Sequence, residues 1–276
     1  MDIVIGTQLY PWSQFYAAKG KKLEDNLDEC LAMIKSSGID VIEPTIESES
    51  VATLYGKLIR KHRLEVPTIY AGGTLHTQQW AKDFESIVNQ ARWGKTLGAR
   101  IVVVNPDPVS STEKRDKTEE EIRTQSHAML QLTEVLKSIG LTLAYHTHDS
   151  EMRRCARELH HMLLATRRVG MKFCLDAHWI WRGAEESQVV LDDIIELYGD
   201  RIASLHIRQS RDSIWSETLQ DGDIDYYSVA RKLKQIDFEG PMHIEITREQ
   251  GTPQTMDITD AHRESVDWAK RTLILM

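Results

Sequence analysis

Apolar residues recur along this chain in two rhythms. Eight short runs carry them on successive or alternate positions: IVIGTQLY (3–10), VIEP (41–44), VPTIYA (66–71), IVVVN (101–105), LTLAYH (141–146), KFCLD (172–176), ASLHI (203–207) and MHIEI (242–246). Runs that are apolar on successive residues, such as IVVV, suit strands covered on both faces. Longer stretches with helical spacing separate them. LDECLAMIKSSG ends in Gly38 and WAKDFESIVNQARWGKTLG in Gly98, where a helix C′ glycine belongs. The stretch 118–139 opens with Thr118 and Glu121 at capping-box spacing and stops before Gly140. Further helices are predicted near 151–168, 186–198, 226–236 and 259–273, with a weaker one at 49–62.

Strand–helix alternation at this spacing predicts parallel pairing through right-handed crossovers. Eight units in 276 residues average about 34 residues each, the rhythm of an α/β protein with a (β/α)8 TIM barrel in one domain over 1–276. The alternative is a doubly wound open sheet. QLYPWSQF, at the end of the first run, contains no glycine, and the chain has neither a GxGxxG nor a Walker A motif, which weakens that alternative. The charged stretch 112–123 reads as an exposed loop entering a helix.

Composition narrows the classes. Apolar residues at 41% and charged residues at 28% are ordinary globular usage and argue against disorder and coiled coil. No apolar run approaches the roughly 20 residues that span a bilayer. The start, MDIVIGTQLYPW, has no basic region and reads as a strand, so the cytoplasm is the expected compartment. The formal charge of −8 disfavours polyanions, and neither nucleic acid nor membrane is an expected partner. Cys30, Cys155 and Cys174 are far apart and form no CxxC, which argues against a disulfide framework or a cysteine zinc site. A homo-oligomer is left open.

A parallel barrel gathers the C-terminal ends of its strands on one rim, where active sites sit. Run two ends in Glu43. Run five ends in His146, followed by His148 and Glu151; run six ends in Asp176, followed by His178. Run seven carries His206 and Arg208, and run eight carries Glu245. Side chains alternate along a strand, so His146 shares a face with His148, and His206 with Arg208. Neutral imidazole and ionised carboxylate are good donors for Zn, Mn, Co or Fe as divalent ions. His146, Asp176, His206 and Glu245 together would set two negative charges against one such cation.

The motifs YHTHDSE (145–151), CLDAHW (174–179), LHIRQS (205–210), DGDIDY (221–226) and HIEI (243–246) resemble the sugar phosphate isomerase/epimerase superfamily, the xylose isomerase-like TIM barrels. The resemblance runs over essentially the whole chain. It implies a divalent metal (Mn, Zn or Co) held by Glu, Asp, His and Glu at the ends of strands five to eight. Asp176, His206 and Glu245 match three of those positions. The strand-five position reads His146 here; His148 and Glu151 remain alternatives, with His146 favoured by strand register. The implied reaction is isomerisation or epimerisation of a sugar or keto-sugar by proton abstraction next to a carbonyl, with the metal stabilising the enediolate. Glu151 is the candidate base. His148 could move a second proton, and Glu43 could act from the opposite wall. His178, Arg208, Trp215 and Glu217 are candidates for holding the substrate, while Asp225 in DGDIDY reads as a helix cap.

Other functions fit less or equally well. A dehydratase of the inosose dehydratase type begins with the same proton abstraction. An endonuclease-IV-like enzyme needs about three metals and a phosphate-binding groove, against the −8 charge. A non-catalytic carbohydrate-binding barrel would need no filled metal shell. No glycine motif suggests a phosphate cup, which favours a non-phosphorylated sugar or cyclitol.

Overall fold

The computed structural model describes residues 4–110, 113 and 115–274. Ile3 of the first run, and Thr112 and Lys114 of the charged stretch, lie outside the described residues. Each apolar run forms a strand: β1 (Ile5–Gln8), β2 (Val41–Glu43), β3 (Thr68–Gly73), β4 (Ile101–Pro106), β5 (Thr142–Tyr145), β6 (Lys172–Asp176), β7 (Ile202–Ile207) and, last, β10 (Met242–Ile244). Two short strands, β8 (Ser210–Arg211) and β9 (Ile214–Trp215), make a hairpin after β7. The eight long strands form one parallel sheet in the order β2-β1-β10-β7-β6-β5-β4-β3. The outer pair β2 and β3 approach each other: Tyr70 N donates to Pro44 O at 3.0 Å and Ile42 N to Glu65 O at 3.0 Å. The sheet is therefore a nearly closed barrel, the (β/α)8 TIM fold expected from the sequence.

The helices are α1 (Tyr10–Ala18), α2 (Leu27–Ser36), α3 (Glu49–His62), α4 (Trp80–Thr96), α5 (Glu119–Ser138), α6 (Asp149–Ala165), α7 (Ala177–Gly183), α8 (Gln188–Tyr198), α9 (Tyr226–Gln235) and α10 (Ile258–Ala269). Local chemistry sets their ends. Thr118 and Glu121 form the reciprocal capping box of α5, and Asp225 accepts from Ser228 N at 3.0 Å to start α9. Two helices escape the sequence pattern. β1 stops at Gln8, and Pro11 in the first turn helps launch α1 where the apolar run suggests more strand. The short α7 is capped by Asp176. Within α6 the chain leaves helical geometry at Arg153, and Arg154, Cys155 and Ala156 take φ of 53°, 59° and 55°.

Period-two alternation divides the strand residues between two cores. Val102, Val104, Leu143, Tyr145, Phe173 and Leu175 face the helices. Each such side chain contributes roughly 1.5–3 kcal/mol by leaving water. Val103, Ala144 and Cys174 face inward and plug the barrel, with Ile101 and Tyr70 packed on them. The next inward positions up the strands are His146, Asp176 and His206, so the packed interior ends where the polar rim begins. One irregularity matters for that rim. Phe173 pairs with Ile202, but Cys174 pairs with Ser204, so the register slips by one and Asp176 comes level with His206.

Candidate metal centre and active site

His146, Asp176, His206 and Glu245 meet above the plug, each buried and each offering a ligand atom, all within 4.8 Å of one another. His146 Nε2 lies 3.4 Å from Asp176 Oδ2, and His206 Nδ1 lies 3.4 Å from Glu245 Oε2. Among the described residues these atoms have no hydrogen-bond partner, although their residues are bonded elsewhere. Asp176 Oδ1 accepts from Trp179 N at 2.8 Å, which leaves Oδ2 free. His206 Nε2 donates to Glu43 Oε1 at 2.8 Å, which leaves Nδ1 free. Arg208 holds Glu245 through Nη2–Oε1 at 3.1 Å and Nε to the backbone O at 2.8 Å, which leaves Oε2 free. Orphaned buried donors and acceptors are costly. Four such atoms, one from each residue, gathered within 4.8 Å of one another fit a divalent cation of the Zn or Mn type.

The electrostatics follow from burial and from these neighbours. Burial opposes a charge on Glu43, but His206 and His243 outweigh it and hold the carboxyl at about 2. Glu43 is thus an anion beneath His206, the carboxylate–histidine arrangement that fixes a ligand's tautomer and orientation. His243 lies one layer deeper, bonded to Thr68 Oγ1 at 2.7 Å. Burial, then the neighbouring His206 and His148, hold His146 well below the usual histidine range. Burial also lowers His148, which keeps its ring neutral at neutral pH. Burial and Glu245 raise Asp176.

Above the cluster opens a cavity of about 680 Å3. Glu245, Tyr70, His148, Arg208, Trp179 and Trp215 line its inner end. Arg208 lies over the Trp215 ring at 4.1 Å, and among the described residues its Nη1 has no hydrogen-bond partner. The hairpin β8–β9 carries Trp215 into place. Asp212 and Ser213 make its tight turn at positive φ, and Asp223 accepts from both their backbone N–H groups at 3.0 and 2.9 Å. Glu249 accepts from Trp215 N at 2.9 Å and pairs with Arg182 at 2.9 Å, tying the hairpin down.

Several candidates from the sequence stand elsewhere. Glu151 is buried, and its Oε2 turns back to accept from His148 N at 2.7 Å in a capping arrangement for α6. Its electrostatic neighbours are Glu158 and Lys117, on the helix side of the barrel. Glu217 accepts from Thr255 N, Thr255 Oγ1 and Met256 N at 2.8–2.9 Å and joins two loops; it is not among the cavity-lining residues. His178 packs among the rings of Trp179, Trp181 and Trp215 at 5.6–6.1 Å, behind the wall. Glu43 lies under His206 and does not line the cavity. Tyr70 is a residue the sequence reading passed over: its ring stacks on His206 at 6.2 Å and meets His146 edge-on at 5.6 Å. The available signal was its parity with Thr68 near the end of run three.

Three comparisons bear on this architecture. A sugar phosphate isomerase/epimerase from Parabacteroides distasonis superposes with a TM-score of 0.77 at 17% identity, over 100% of this chain and 96% of its own. D-allulose 3-epimerase from Methylomonas sp., in complex with D-allulose, gives 0.74 at 16% identity, over 98% and 97%. The IOLI protein with a bound zinc atom gives 0.72 at 15%, over 98% of each chain. At such identities the likeness establishes the fold alone. No curated protein matches the sequence. Residues 23–272 match the family described as xylose isomerase-like TIM barrel, and with that match over most of its length the chain belongs to this family.

Proposed function

We propose that the protein is a divalent-metal-dependent isomerase or epimerase that acts on a sugar or keto-sugar by proton abstraction next to a carbonyl. The observation that carries this reading is the set of four buried residues whose unpartnered ligand atoms converge at the floor of a cavity. The solved structures named for sugar isomerases and epimerases support the same class. His146, Asp176, His206 and Glu245 hold the metal, which when bound supplies Lewis acidity toward a substrate carbonyl oxygen.

The chain's own groups do the rest. His148 lines the cavity as a neutral imidazole and is the base within it that takes the proton from the carbon beside the carbonyl. Glu151 fixes the His148 backbone and is a positioning residue in this scheme. Arg208, already held by Glu245, offers its free Nη1 to a substrate oxygen, and its guanidinium is fixed before substrate arrives. Trp179 and Trp215 present apolar faces to the sugar C–H groups and exclude water. Glu43 keeps His206 in one tautomer.

The test is turnover of a panel of ketoses and keto-sugars in deuterated water, followed by NMR and mass spectrometry. The expected product is a rearranged sugar with deuterium at the carbon beside the carbonyl. A product lighter by one water would make the enzyme a dehydratase on the same scaffold. Full activity after rigorous metal removal, or an active enzyme that returns only the substrate's own hydrogen, overturns the mechanism.

A further inference from the structure

The cavity is larger than a simple sugar requires. Its volume is about 680 Å3. A hexose has twelve heavy atoms, which fill at most roughly 360 Å3 even at a water molecule's share of about 30 Å3 each. The surplus has its own lining. The polar end is lined by residues from Tyr70 onward, among them Glu245 of the cluster, His148 and Arg208. The opposite arm comes from the first two β/α units and is walled by Tyr10, Leu23, Leu27, Val51, Leu54 and Tyr55. None of these six side chains is charged. Tyr10 and Leu54 remain 54% and 40% exposed at its mouth, while Leu23, Leu27 and Tyr55 are buried behind them. Large apolar side chains exposed at the mouth of a formed cavity mark a binding surface.

Charge narrows the occupant. Glu24 and Glu47 also line this arm and stand near enough to Tyr55 to help push its phenol up, after burial itself. Among the described residues, no lysine or arginine pairs with either. A phosphate or carboxylate against this wall would meet two carboxylates, while the cations that line the cavity, Arg208 and Arg248, lie on the segments that follow β7 and β10; an uncharged ring or alkyl group would cover the apolar wall.

We infer that the substrate is a glycoside, with its sugar ring at the metal end and an uncharged apolar aglycone in the arm walled by Leu23, Leu27, Val51, Leu54 and Tyr55. This rests on the sugar isomerase/epimerase reading. It has a chemical consequence. A glycosidic bond locks the anomeric carbon, so the carbonyl needed for proton abstraction lies on another ring carbon. The reaction that supplies the substrate is therefore oxidation of a ring hydroxyl of an intact glycoside. The alcohol carbon loses its hydrogen as hydride to a nicotinamide or flavin acceptor, the hydroxyl loses its proton, and a ketone remains.

The experiment titrates the metal-loaded protein with methyl, phenyl and 4-carboxyphenyl β-D-glucopyranoside and with D-fructose, reading heat and intrinsic tryptophan fluorescence. The phenyl glucoside is expected to bind at least tenfold more tightly than the methyl glucoside, and the carboxylate to abolish that gain. Leu54→Asp and, independently, Tyr10→Ser should each bring the phenyl-to-methyl ratio toward one. Both positions are exposed, so at least one variant should fold. Methyl and phenyl glucosides of equal affinity would overturn the aglycone arm while leaving the sugar reading standing. Binding of fructose with no glucoside bound would overturn the glycoside class alone. If no sugar binds at all, the sugar reading falls and this inference with it.

Discussion

Asp176 divides its two carboxylate oxygens between two tasks. Oδ1 caps α7 through Trp179 N, and Oδ2 faces the other three residues of the cluster. Asp176→Asn keeps an oxygen for the cap but removes the charge. Metal content, measured by elemental analysis, should fall from near-stoichiometric to a small fraction, while the metal-free variant melts within a few degrees of metal-free wild type. Glu43→Gln tests the layer below: it keeps a hydrogen bond to His206 Nε2 but removes the anion. Metal affinity should drop on the order of 10–100-fold in a chelator competition. Wild-type affinity in that variant would show that Glu43 does not control His206. At this scale the strand-end rule picks out the four residues of the cluster that could hold a metal, because inward parity and donor chemistry are both visible in the sequence. It does not tell which way Glu43, Glu151 and Glu217 point. A carboxylate near the rim reads the same whether it points into the cavity, under a histidine or back at a helix end.

Elements decide how firmly the cavity wall is held. The segment from Arg208 to Asp225 leaves the barrel, forms β8–β9 and returns to cap α9, and its inward face carries Trp215. Gly222 lets it fold back closely: a Cβ there would lie 2.2 Å from Ser210 O. Glu217 then clips the segment to the loop after β10 with three hydrogen bonds. Glu217→Ala should cost about 1–3 kcal/mol of stability, since several bonds are lost at a partly exposed site. It should also raise KM more than it lowers kcat, because Trp215 and Arg208 lose a fixed backing. Equal loss of kcat and kcat/KM would place Glu217 at the reacting centre instead. The sequence shows that a long insertion follows run seven and that Asp225 starts a helix. The hairpin inside it escapes, because strands of two residues have no periodicity to read.

For the molecule as a whole, one buried group makes stability depend on pH near neutrality. Burial raises the Glu151 carboxyl to about 7, with Glu158 adding to the rise and Lys117 opposing it. The folded state therefore holds this proton more tightly than the unfolded chain, whose carboxyl titrates at the ordinary value of about 4.3. Stability falls as pH rises between those two values and this contribution is constant above about 7. Glu151→Gln keeps an oxygen for His148 N and has no proton to lose. Its melting temperature should exceed wild type at pH 8 and approach it at pH 5, with a difference on the order of 2 kcal/mol across the range. A difference that does not change with pH would show that Glu151 is not buried as a neutral acid.

What the sequence by itself determined is what local rules govern: eight strands in order, their two-residue alternation, the helix caps at Thr118 and Asp225, and a donor set suited to one divalent cation. Period and parity follow from backbone geometry within a few residues, and a parallel order follows from the length of the connections. Tertiary structure alone decided the height and direction of those groups. The slip between β6 and β7 brings Asp176 level with His206, and a one-residue change in register there would turn alternate side chains to the other face. Glu43 reaches His206 across 163 residues of sequence. The arm of the cavity exists only because α1 and α3 close against one rim. Contacts between distant segments are set by packing and closure of the whole barrel, and no window of the sequence contains both partners.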